Sequence, residues 1–543
     1  MKAAELFVKA LENEGVEFIF GIPGEENLDV MDALLDSPIR FITARHEQGA
    51  AFMADVYGRL TGRAGVCIAT LGPGATNLIT GVADANMDHA PLIAIAGQAS
   101  TRRLHKESHQ VLDLEAMFLP ITKYSTRIVS PEVIPEIVRK AFKVAQTEKT
   151  GACFIEFPEN IAEMEINERP LRVKHATPPE PAAEHIERAA EIISNAQNPI
   201  ILAGNGVVRA HAAKALADFA EKLNIPVANT FMAKGIIPFR HPMSLGSVGL
   251  QSNDYVNTGF ANADVIICIG YDMVEYHPYL WHPTRDRTLI HIDTTHAEVD
   301  AYYSVVVGVV GNINHSLNRL AALTSRHQGK AMRTLRDSLI TEMKLHQNDT
   351  GFPVKPQKII WDLRTVLDLE DIVICDVGAH KMWMSRMFRC EYPNTCIISN
   401  GFASMGIAVP GAIAAKLANP QRKVVAVTGD AGFLMNSQEI ETAMRLHIPV
   451  VILIWNDASY GLIEWKQQNQ FGRTSNVKFT NPDFVQYAQS FGAVGVKIER
   501  TEDLMPELTD ALARDTVTVI DCPVDYRENL KLTQQLGQLT SPS

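Results

Sequence analysis

The sequence predicts an α/β protein made of three doubly wound parallel-sheet domains, in which helices cover both faces of each sheet. Short β-branched, apolar runs alternate with longer amphipathic stretches, and this alternation occurs three times along the 543 residues. That length also exceeds what a single hydrophobic core supports. The chain is 46% hydrophobic and 21% charged, which is typical of globular proteins and excludes disordered and fibrous classes.

The first domain is predicted over residues 1–172. Its strands are expected at five apolar runs, namely Phe18–Phe20, Arg40–Thr43, Gly65–Thr70, Pro91–Ala96 and Cys153–Phe157. A helix is expected from Glu47 to Leu60. The stretch 174–182 carries three prolines in four positions and can continue neither helix nor strand. It therefore predicts a linker to the second domain.

The second domain is predicted over residues 183–325 and the third over residues 355–543. Strands of the second are expected at Pro199–Ala203, Val265–Ile269 and Thr288–Ile292. Strands of the third are expected at Ile372–Cys375, Val424–Val427, Val450–Ile454 and Val517–Ile520. A polar, charged stretch from about Thr324 to Pro356 is expected to separate these two domains.

Charge and residue usage exclude several functional classes. A nucleic-acid footprint needs clustered Lys and Arg, and the net charge of -12 argues against one. No apolar run approaches the roughly 18 residues that a membrane span needs. The N-terminus lacks the apolar core of a signal peptide. The seven cysteines form no CxxC pair, and we interpret them as buried thiols of a cytoplasmic protein.

Two carboxylates are predicted to meet at one edge of the third sheet. Asp430 and Asp457 each stand at the C-terminal end of a predicted strand, 27 positions apart, with a helical stretch between them. In a right-handed strand–helix–strand unit both side chains reach the edge where such folds bind ligands. Paired oxygen ligands beside glycines suit Mg²⁺ and a diphosphate. The same spacing also fits two aspartates that only cap helices.

The segments around these aspartates, Val427–Phe433 and Trp455–Tyr460, resemble the cofactor motif of thiamine-diphosphate (ThDP) enzymes. Two residues depart from that motif: Ala431 replaces a glycine, and Asp457 stands where an asparagine is usual. The resemblance implies that Mg²⁺ is held by Asp430, Asp457 and the carbonyl of Ser459. It further implies that the cofactor's diphosphate lies against the turn formed by Gly429, Asp430, Ala431 and Gly432.

Three further segments resemble other elements of this family. Arg45–Arg59 contains Glu47, which the resemblance assigns to the pyrimidine nitrogen N1′ of ThDP, although a glutamate at a helix start is often only a cap. Asn400–Pro410 contains Met405, implied to hold the cofactor in a bent shape, and Ala403, whose carbonyl would accept from its amino group. A methionine in an apolar run is often plain core. Asp376–Trp383 implies diphosphate contacts for Ala379 and His380.

The resemblance extends over nearly the whole chain and narrows to the acetolactate synthases. The segments that carry it are Gly21–Gly24, Gly72–Asn77, Ser108–Gln110, Thr122–Tyr124, Ile269–Tyr276 and Val524–Asn529. The last two are more similar to the flavin-free, catabolic members. The resemblance thus implies that two molecules of pyruvate give 2-acetolactate and CO₂, that Gln110 polarises the substrate carbonyl beside Gln98, and that no functional FAD is bound.

The identity of the 2-oxo acid is left open by the sequence. Lys466 falls where the catabolic pattern has a neutral glutamine, and Trp465 where it has a smaller residue. With His109 and Arg102, Lys466 could bind a second carboxylate, as in the related 2-oxoglutarate decarboxylases that release succinic semialdehyde, or it could be a solvated helix residue. A flavin-dependent pyruvate oxidase is the less expected alternative. The resemblance also implies a homodimer or homotetramer with active sites shared between subunits.

Overall fold

The computed structural model describes residues 1–174, 177–249, 255–328, 333–529 and 532. It contains three six-stranded sheets, and every pairing between their named strands is parallel. This confirms the predicted α/β class with three parallel sheets. All twelve predicted strands are present, and each end lies within three residues of its expected position.

The first sheet and its helices are built from the N-terminal part of the chain. Its strands are β1 (Phe18–Gly21), β2 (Arg40–Thr43), β3 (Gly65–Ala69), β4 (Leu92–Gln98), β5 (Tyr124–Arg127) and β6 (Ala152–Pro158). Its helices are α1 (Ala3–Asn13), α2 (Leu28–Leu34), α3 (Glu47–Thr61), α4 (Pro73–Met87), α5 (Leu114–Phe118), α6 (Ile134–Gln146) and α7 (Glu159–Ala162). The central strands β3, β4 and β6 are fully buried, which explains their continuous apolar sequence.

The second sheet follows the linker. Its strands are β7 (Ile200–Ala203), β8 (Val227–Asn229), β9 (Ser244–Ser247), β10 (Val265–Ile269), β11 (Thr288–Asp293) and β12 (Val305–Val310). The accompanying helices are α8 (Ala183–Asn195), α9 (Gly206–Arg209), α10 (Ala213–Leu223), α11 (Tyr255–Asn262), α12 (Ile313–Leu323) and α13 (Arg333–Leu345). Residues 175 and 176 of the predicted linker lie outside the described residues.

The third sheet occupies the C-terminal part. Its strands are β13 (Ile372–Cys375), β14 (Cys396–Ile398), β15 (Val424–Gly429), β16 (Val451–Asn456), β17 (Val494–Lys497) and β18 (Thr518–Pro523). Its helices are α14 (Pro356–Val366), α15 (Ala379–Met387), α16 (Ala408–Ala418), α17 (Asp430–Asn436), α18 (Glu439–Arg445), α19 (Gly461–Phe471), α20 (Phe484–Ser490) and α21 (Leu504–Ala513).

The strand orders place a potential binding crevice in each sheet. The first sheet has the order β2-β1-β3-β4-β6-β5, and the third repeats it as β14-β13-β15-β16-β18-β17. The second has the order β12-β11-β10-β7-β8-β9. In such sheets the chain leaves adjacent strands in opposite directions at one point, and ligands bind outside the carboxyl ends of those strands. For the third sheet this point lies between β13 and β15.

The stretch predicted to separate the second and third domains is not a plain linker. It contains α13, whose Leu339 and Met343 are buried, while residues 329–332 lie outside the described residues. Two apolar residues at helical spacing suffice to seat this charged helix on a neighbouring domain. The exact domain boundaries remain a prediction.

The first and third domains share one apolar core. Phe52 and Val56 of α3 belong to the same buried cluster as Ala412 and Ile413 of α16. All seven cysteines are buried and unpaired, as predicted. Among the described residues, no helix combines the length and the apolar character needed to cross a membrane.

Candidate active site

Asp430 and Asp457 meet at the carboxyl edge of the third sheet, as the spacing predicted. Gly429, the last residue of β15, is paired with Trp455 of β16, so each aspartate follows its strand at the same level. One carboxylate oxygen of Asp430 accepts from the Ala458 N–H at 2.7 Å. Burial, and then the charge of Asp430, raise the pKa of Asp457 to about 8. Two facing carboxylates of this kind have the oxygen donors that Mg²⁺ requires.

An asparagine that the sequence analysis missed completes this group. The side chain N–H₂ of Asn481 donates to Asp430 at 2.7 Å and to Asn456 at 3.0 Å. Its carbonyl oxygen is buried and has no hydrogen-bond partner within the described residues. Asn481 lies in the loop before α20, where no local pattern distinguishes it. An unpaired oxygen beside two carboxylates fits a bound cation or the ordered water around one.

Ser459, the third predicted metal ligand, is buried beside these residues. Its hydroxyl donates to Glu464 at 2.8 Å and to the Val477 carbonyl at 3.1 Å. The preceding residue, Ala458, has a positive φ of 50°, which turns the backbone sharply after β16. The role of the Ser459 carbonyl remains a prediction, because it depends on the metal itself.

The turns that follow β13 and β15 lie at the switch point, where the chain leaves these adjacent strands in opposite directions, and they can bind an anion. His380 on α15 is buried, and burial lowers its pKa to about 3, so its imidazole is neutral at physiological pH. Its Nε2 has no hydrogen-bond partner among the described residues. A Cβ atom added to Gly429 would lie 3.4 Å from the imidazole ring, so the ring lies against the turn at Gly429–Gly432. In the neutral tautomer with its proton on Nε2, His380 and this turn can together bind a diphosphate.

Ala379 lies at one helix start and Ala431 and Gly432 at another, and these helices follow the paired strands β13 and β15. Ala379 begins α15, and Ala431 and Gly432 lie in the first turn of α17. The Ala431 N–H donates to Asp430 at 2.9 Å. A Cβ on Gly432 would lie 3.1 Å from Asp376, so there is little room for a side chain at that position.

Ala403 and Met405 lie in a sharply turning segment between β14 and α16. Ala403 has a positive φ of 58° and Gly406 one of 93°, so the backbone reverses twice. Both Ala403 and Met405 are half-buried. Asp376, at the end of β13, accepts from the Gly406 N–H at 2.8 Å. This contact links the methionine segment to the switch point.

Glu47 is held at the start of α3, in the first domain. The Asn77 side chain donates to its carboxylate at 2.9 Å, and the Cβ position of Gly74 lies 3.4 Å from its other oxygen. Gln110, with a positive φ of 57°, contacts Gly72 in the same region and is exposed. These contacts place Glu47 and Gln110 on either side of the turn that opens α4.

Gln98 and His109 occupy different environments from each other. Gln98 is fully buried, donates to the Leu112 carbonyl at 3.1 Å and accepts from the Ala99 N–H at 2.9 Å. Its amide therefore fixes the loop that carries Gln110, and its predicted catalytic role remains untested by this geometry. His109 and Arg102 are exposed in that loop.

Within one chain, the start of α3 is bonded to the helix that begins with Asp430, because the Asn436 side chain donates to Gln48 at 3.4 Å. Among the described residues, no hydrogen bond or ion pair connects Glu47 with Asp430 or Asp457. The start of α3 contacts the third domain through Glu439, which accepts from the N–H groups of Arg45 and His46, each at 3.0 Å. The shared site between subunits therefore remains a prediction.

A cavity of about 410 Å³ opens beside Asp457. Trp465 lines it, is buried, and has an unpaired indole N–H within the described part of the chain. Lys466 does not line it and is exposed on α19. The cations that line this cavity are Lys478 and Arg527. A substrate contact for Lys466 remains a prediction that its exposed position does not favour.

A second cavity, of about 360 Å³, lies at the carboxyl edge of the second sheet. The turn after β7, where a dinucleotide phosphate would need free N–H groups, already contacts a carboxylate: Asn205 N–H donates to Glu275 at 2.9 Å. Burial raises the pKa of Glu275 to about 8. The absence of a functional FAD stays a prediction.

Comparisons with known proteins agree on one family. Models of thiamine pyrophosphate enzymes match residues 1–117 (N-terminal TPP binding domain), 186–320 (central domain) and 376–522 (C-terminal TPP binding domain). An acetolactate synthase of Bacillus subtilis (strain 168) is 38% identical over 551 residues, which cover 99% of this chain and 96% of that protein.

Two further relatives show similar coverage. A catabolic acetolactate synthase of Raoultella terrigena is 36% identical over 550 residues, which cover 98% of this chain and 97% of that protein. A probable acetolactate synthase large subunit of Methanocaldococcus jannaschii is 37% identical over 562 residues, which cover 100% and 95%. The similarity therefore extends through all three domains.

Proposed function

Because the chain belongs to the acetolactate synthase family of thiamine-diphosphate enzymes, we propose that it converts two molecules of pyruvate to 2-acetolactate and CO₂. The observation that carries this proposal is the convergence of Asp430, Asp457 and the unpaired Nε2 of His380 at one switch point. These groups offer a cation site and an anion site side by side. ThDP bound with Mg²⁺ would occupy both sites, since the metal is a cation and the diphosphate is an anion.

The residues at this edge fit the cofactor. Asp430, Asp457 and the Ser459 carbonyl would hold Mg²⁺, and the unpaired oxygen of Asn481 would bind its coordinated water. The cofactor's diphosphate would rest against His380, Ala379 and the turn at Gly429–Gly432. Ala403 and Met405 would contact its organic part. When bound, ThDP supplies an electron sink for the charge left behind as a 2-oxo acid loses CO₂.

Side chains of the first domain would supply proton handling and substrate orientation. Glu47 is half-buried and fixed by Asn77, so its carboxyl can hold a proton at one oxygen and deliver it in a set direction. Gln110 is exposed beside it and can donate to a substrate carbonyl. Gln98 would maintain the position of this loop.

Pyruvate is favoured over 2-oxoglutarate by the charges around the cavity. Lys478 is paired with Glu464 at 2.7 Å, and Arg527 is paired with Asp525 at 2.7 Å. In the described part of the chain, therefore, both cations lining this cavity already have carboxylate partners. A second substrate carboxylate would lack an unpaired cation there. This supports a monocarboxylic substrate.

Product analysis tests the reaction. The protein loaded with ThDP and Mg²⁺ is incubated with pyruvate or with 2-oxoglutarate, and products are identified by NMR. We expect 2-acetolactate from pyruvate and no turnover of 2-oxoglutarate. Succinic semialdehyde as the main product would contradict the proposal. Oxygen uptake with pyruvate, or flavin absorbance near 450 nm, would favour an oxidase instead.

Sharing of the site between subunits of a cytoplasmic homodimer or homotetramer is the remaining part of the proposal. It is supported by the family to which the chain belongs, since the resemblance implies that Glu47 of one subunit acts on the cofactor held by the aspartates of another subunit. Mixed oligomers of Glu47→Gln and Asp430→Asn subunits test it, since each hybrid dimer would keep one intact site. Activity should return in the mixture. Confirmed hybrids without activity would contradict sharing.

A further inference from the structure

The segment Ser399–Gly406, which carries Ala403 and Met405, is held mainly by buried carboxylates of another domain. Asp84, on α4, accepts from the Ser399 hydroxyl at 2.9 Å and from the Ser404 N–H at 3.1 Å. Asp88, which caps α4, accepts from the Gly401 N–H at 2.6 Å. Both aspartates are fully buried. Their bonds therefore act without competition from water.

The first and third domains approach each other closely where Asp88 contacts Gly401. A Cβ atom on Gly401 would lie 2.7 Å from an oxygen of Asp88 and 2.7 Å from the Met87 carbonyl. Arg59, on α3, donates to Asp88 at 3.0 Å and to the Ile398 carbonyl at 2.8 Å. The guanidinium thus compensates the charge of Asp88 and also contacts the strand that leads into the segment.

Among the described residues, no cation is hydrogen-bonded to Asp84. Its second oxygen, and both oxygens of Asp55 on α3, are buried without a donor among the described residues. The two carboxyls lie against each other, and burial raises the pKa of Asp55 to about 7 and that of Asp84 well above its usual range. Two adjacent buried carboxyls satisfy each other by sharing one proton. Arg59, Asp88 and Lys381 are the charged groups that face them.

We propose that Asp84, sharing a proton with Asp55, is a positioning residue that fixes Ser399–Gly406 so that Met405 and Ala403 meet the cofactor in one conformation. The shared proton leaves one oxygen of Asp84 free to accept from both Ser399 and Ser404. Asp55 lies on the same helix as Glu47. One helix therefore presents the proposed acid at its start and supports the methionine segment further along.

The proposal rests on the proposed function only for its catalytic consequence. The contact itself precedes cofactor binding, so it can be measured in the protein without ThDP. Hydrogen exchange of the Ser404 and Gly401 amides reports whether the segment is held. Binding of ThDP with Mg²⁺ and deuterium exchange at its C2 carbon then separate cofactor affinity from cofactor activation.

Three variants form the experiment. Asp84→Ala removes both acceptors, Asp84→Asn keeps one oxygen as acceptor and offers its N–H₂ to Asp55, and Asp362→Ala is the control. Asp362 is equally buried but bonds Lys358 on its own helix, at 2.7 Å. Should Asp84→Ala fail to fold, Ser399→Ala removes one of the two bonds with less disturbance and replaces it.

We expect Asp84→Ala to speed amide exchange in the segment and to slow C2 exchange of bound ThDP on the order of tenfold to a hundredfold. Its ThDP affinity should change less than about threefold, because the metal and diphosphate contacts lie elsewhere. Asp84→Asn should restore both rates, and Asp362→Ala should leave both unchanged. Equal effects of Asp84→Ala and Asp362→Ala, or no rescue by Asp84→Asn, would overturn the proposal. Loss of acetolactate formation with normal exchange rates would count against the proposed function instead.

Discussion

Replacing Glu439 by alanine tests how firmly the third domain anchors the helix that begins with Glu47. Glu439 is buried at the start of α18 and reaches the first domain. Its carboxylate accepts from the N–H groups of Arg45 and His46, each at 3.0 Å, and from the Thr442 hydroxyl at 2.7 Å. A negative group from another domain thus stands at the N-terminal end of α3.

The expected loss in free energy of unfolding follows from these hydrogen bonds. A hydrogen bond to a charged group contributes about 1.5–3 kcal/mol, and a backbone N–H left unpaired costs about 1–3 kcal/mol. Burial raises the pKa of Glu439, which shows that desolvation offsets part of this gain. We expect Glu439→Ala to lower the free energy of unfolding by about 2–4 kcal/mol. For a domain of 150–250 residues this corresponds to a melting temperature lower by roughly 4–16 °C.

Differential scanning calorimetry of the protein without cofactor measures this change. Glu441→Ala is the matched control, because Glu441 lies on the same helix, is partly exposed and pairs with Arg445 at 2.9 Å within one turn. Such a pair contributes only about 0.3–0.5 kcal/mol. The reasoning is refuted if both variants melt at the same temperature. ThDP C2 exchange should slow more in Glu439→Ala than in Glu441→Ala, since Glu439 accepts from two backbone N–H groups beside Glu47 whereas Glu441 reaches only the Arg45 side chain, at 4.0 Å.

Three other changes have definite expected outcomes. Burial raises the pKa of Glu275 to about 8, so the folded state keeps a proton that the unfolded state releases near pH 4.5. Stability should therefore fall as pH rises from about 5 to 8, by at most about 1.4 kcal/mol per unit, and Glu275→Gln should flatten this slope in urea titrations. Gly65→Ala should prevent soluble expression, because its Cβ would lie 1.9 Å from the Ala54 carbonyl oxygen. Asp457→Ala should weaken ThDP binding in the presence of Mg²⁺ by about tenfold or more, measured by calorimetry.

Each of these predictions has a control. Gly62→Ala meets no atom within 4 Å and has only a positive φ of 68°, so it should cost about 1 kcal/mol and remain soluble. An unchanged pH slope in Glu275→Gln would show that the carboxyl is ionised when folded. If Asp457→Ala binds ThDP in the presence of Mg²⁺ as tightly as the parent protein does, Asp457 is not a metal ligand.

The sequence predicted those parts of the fold in which burial dictates residue type. Central strands such as Leu92–Gln98 and Val424–Gly429 are covered on both faces, so their sequences are continuous apolar runs. Two edge strands, Tyr124–Arg127 and Val494–Lys497, were missed because they are half-exposed and have no continuous apolar run. The meeting of Asp430 and Asp457 was predictable because parallel strands bring their carboxyl ends to one edge.

Only the tertiary structure decided which partners these groups have. Asn481 reaches Asp430 from a position 51 residues away, and Asp84 reaches Ser404 from 320 residues away. Local patterns determine whether a residue is buried, since burial depends on its own element's period. The choice of hydrogen-bond partner depends instead on how whole domains pack, and that is fixed by the shared core of α3 and α16 rather than by any segment alone.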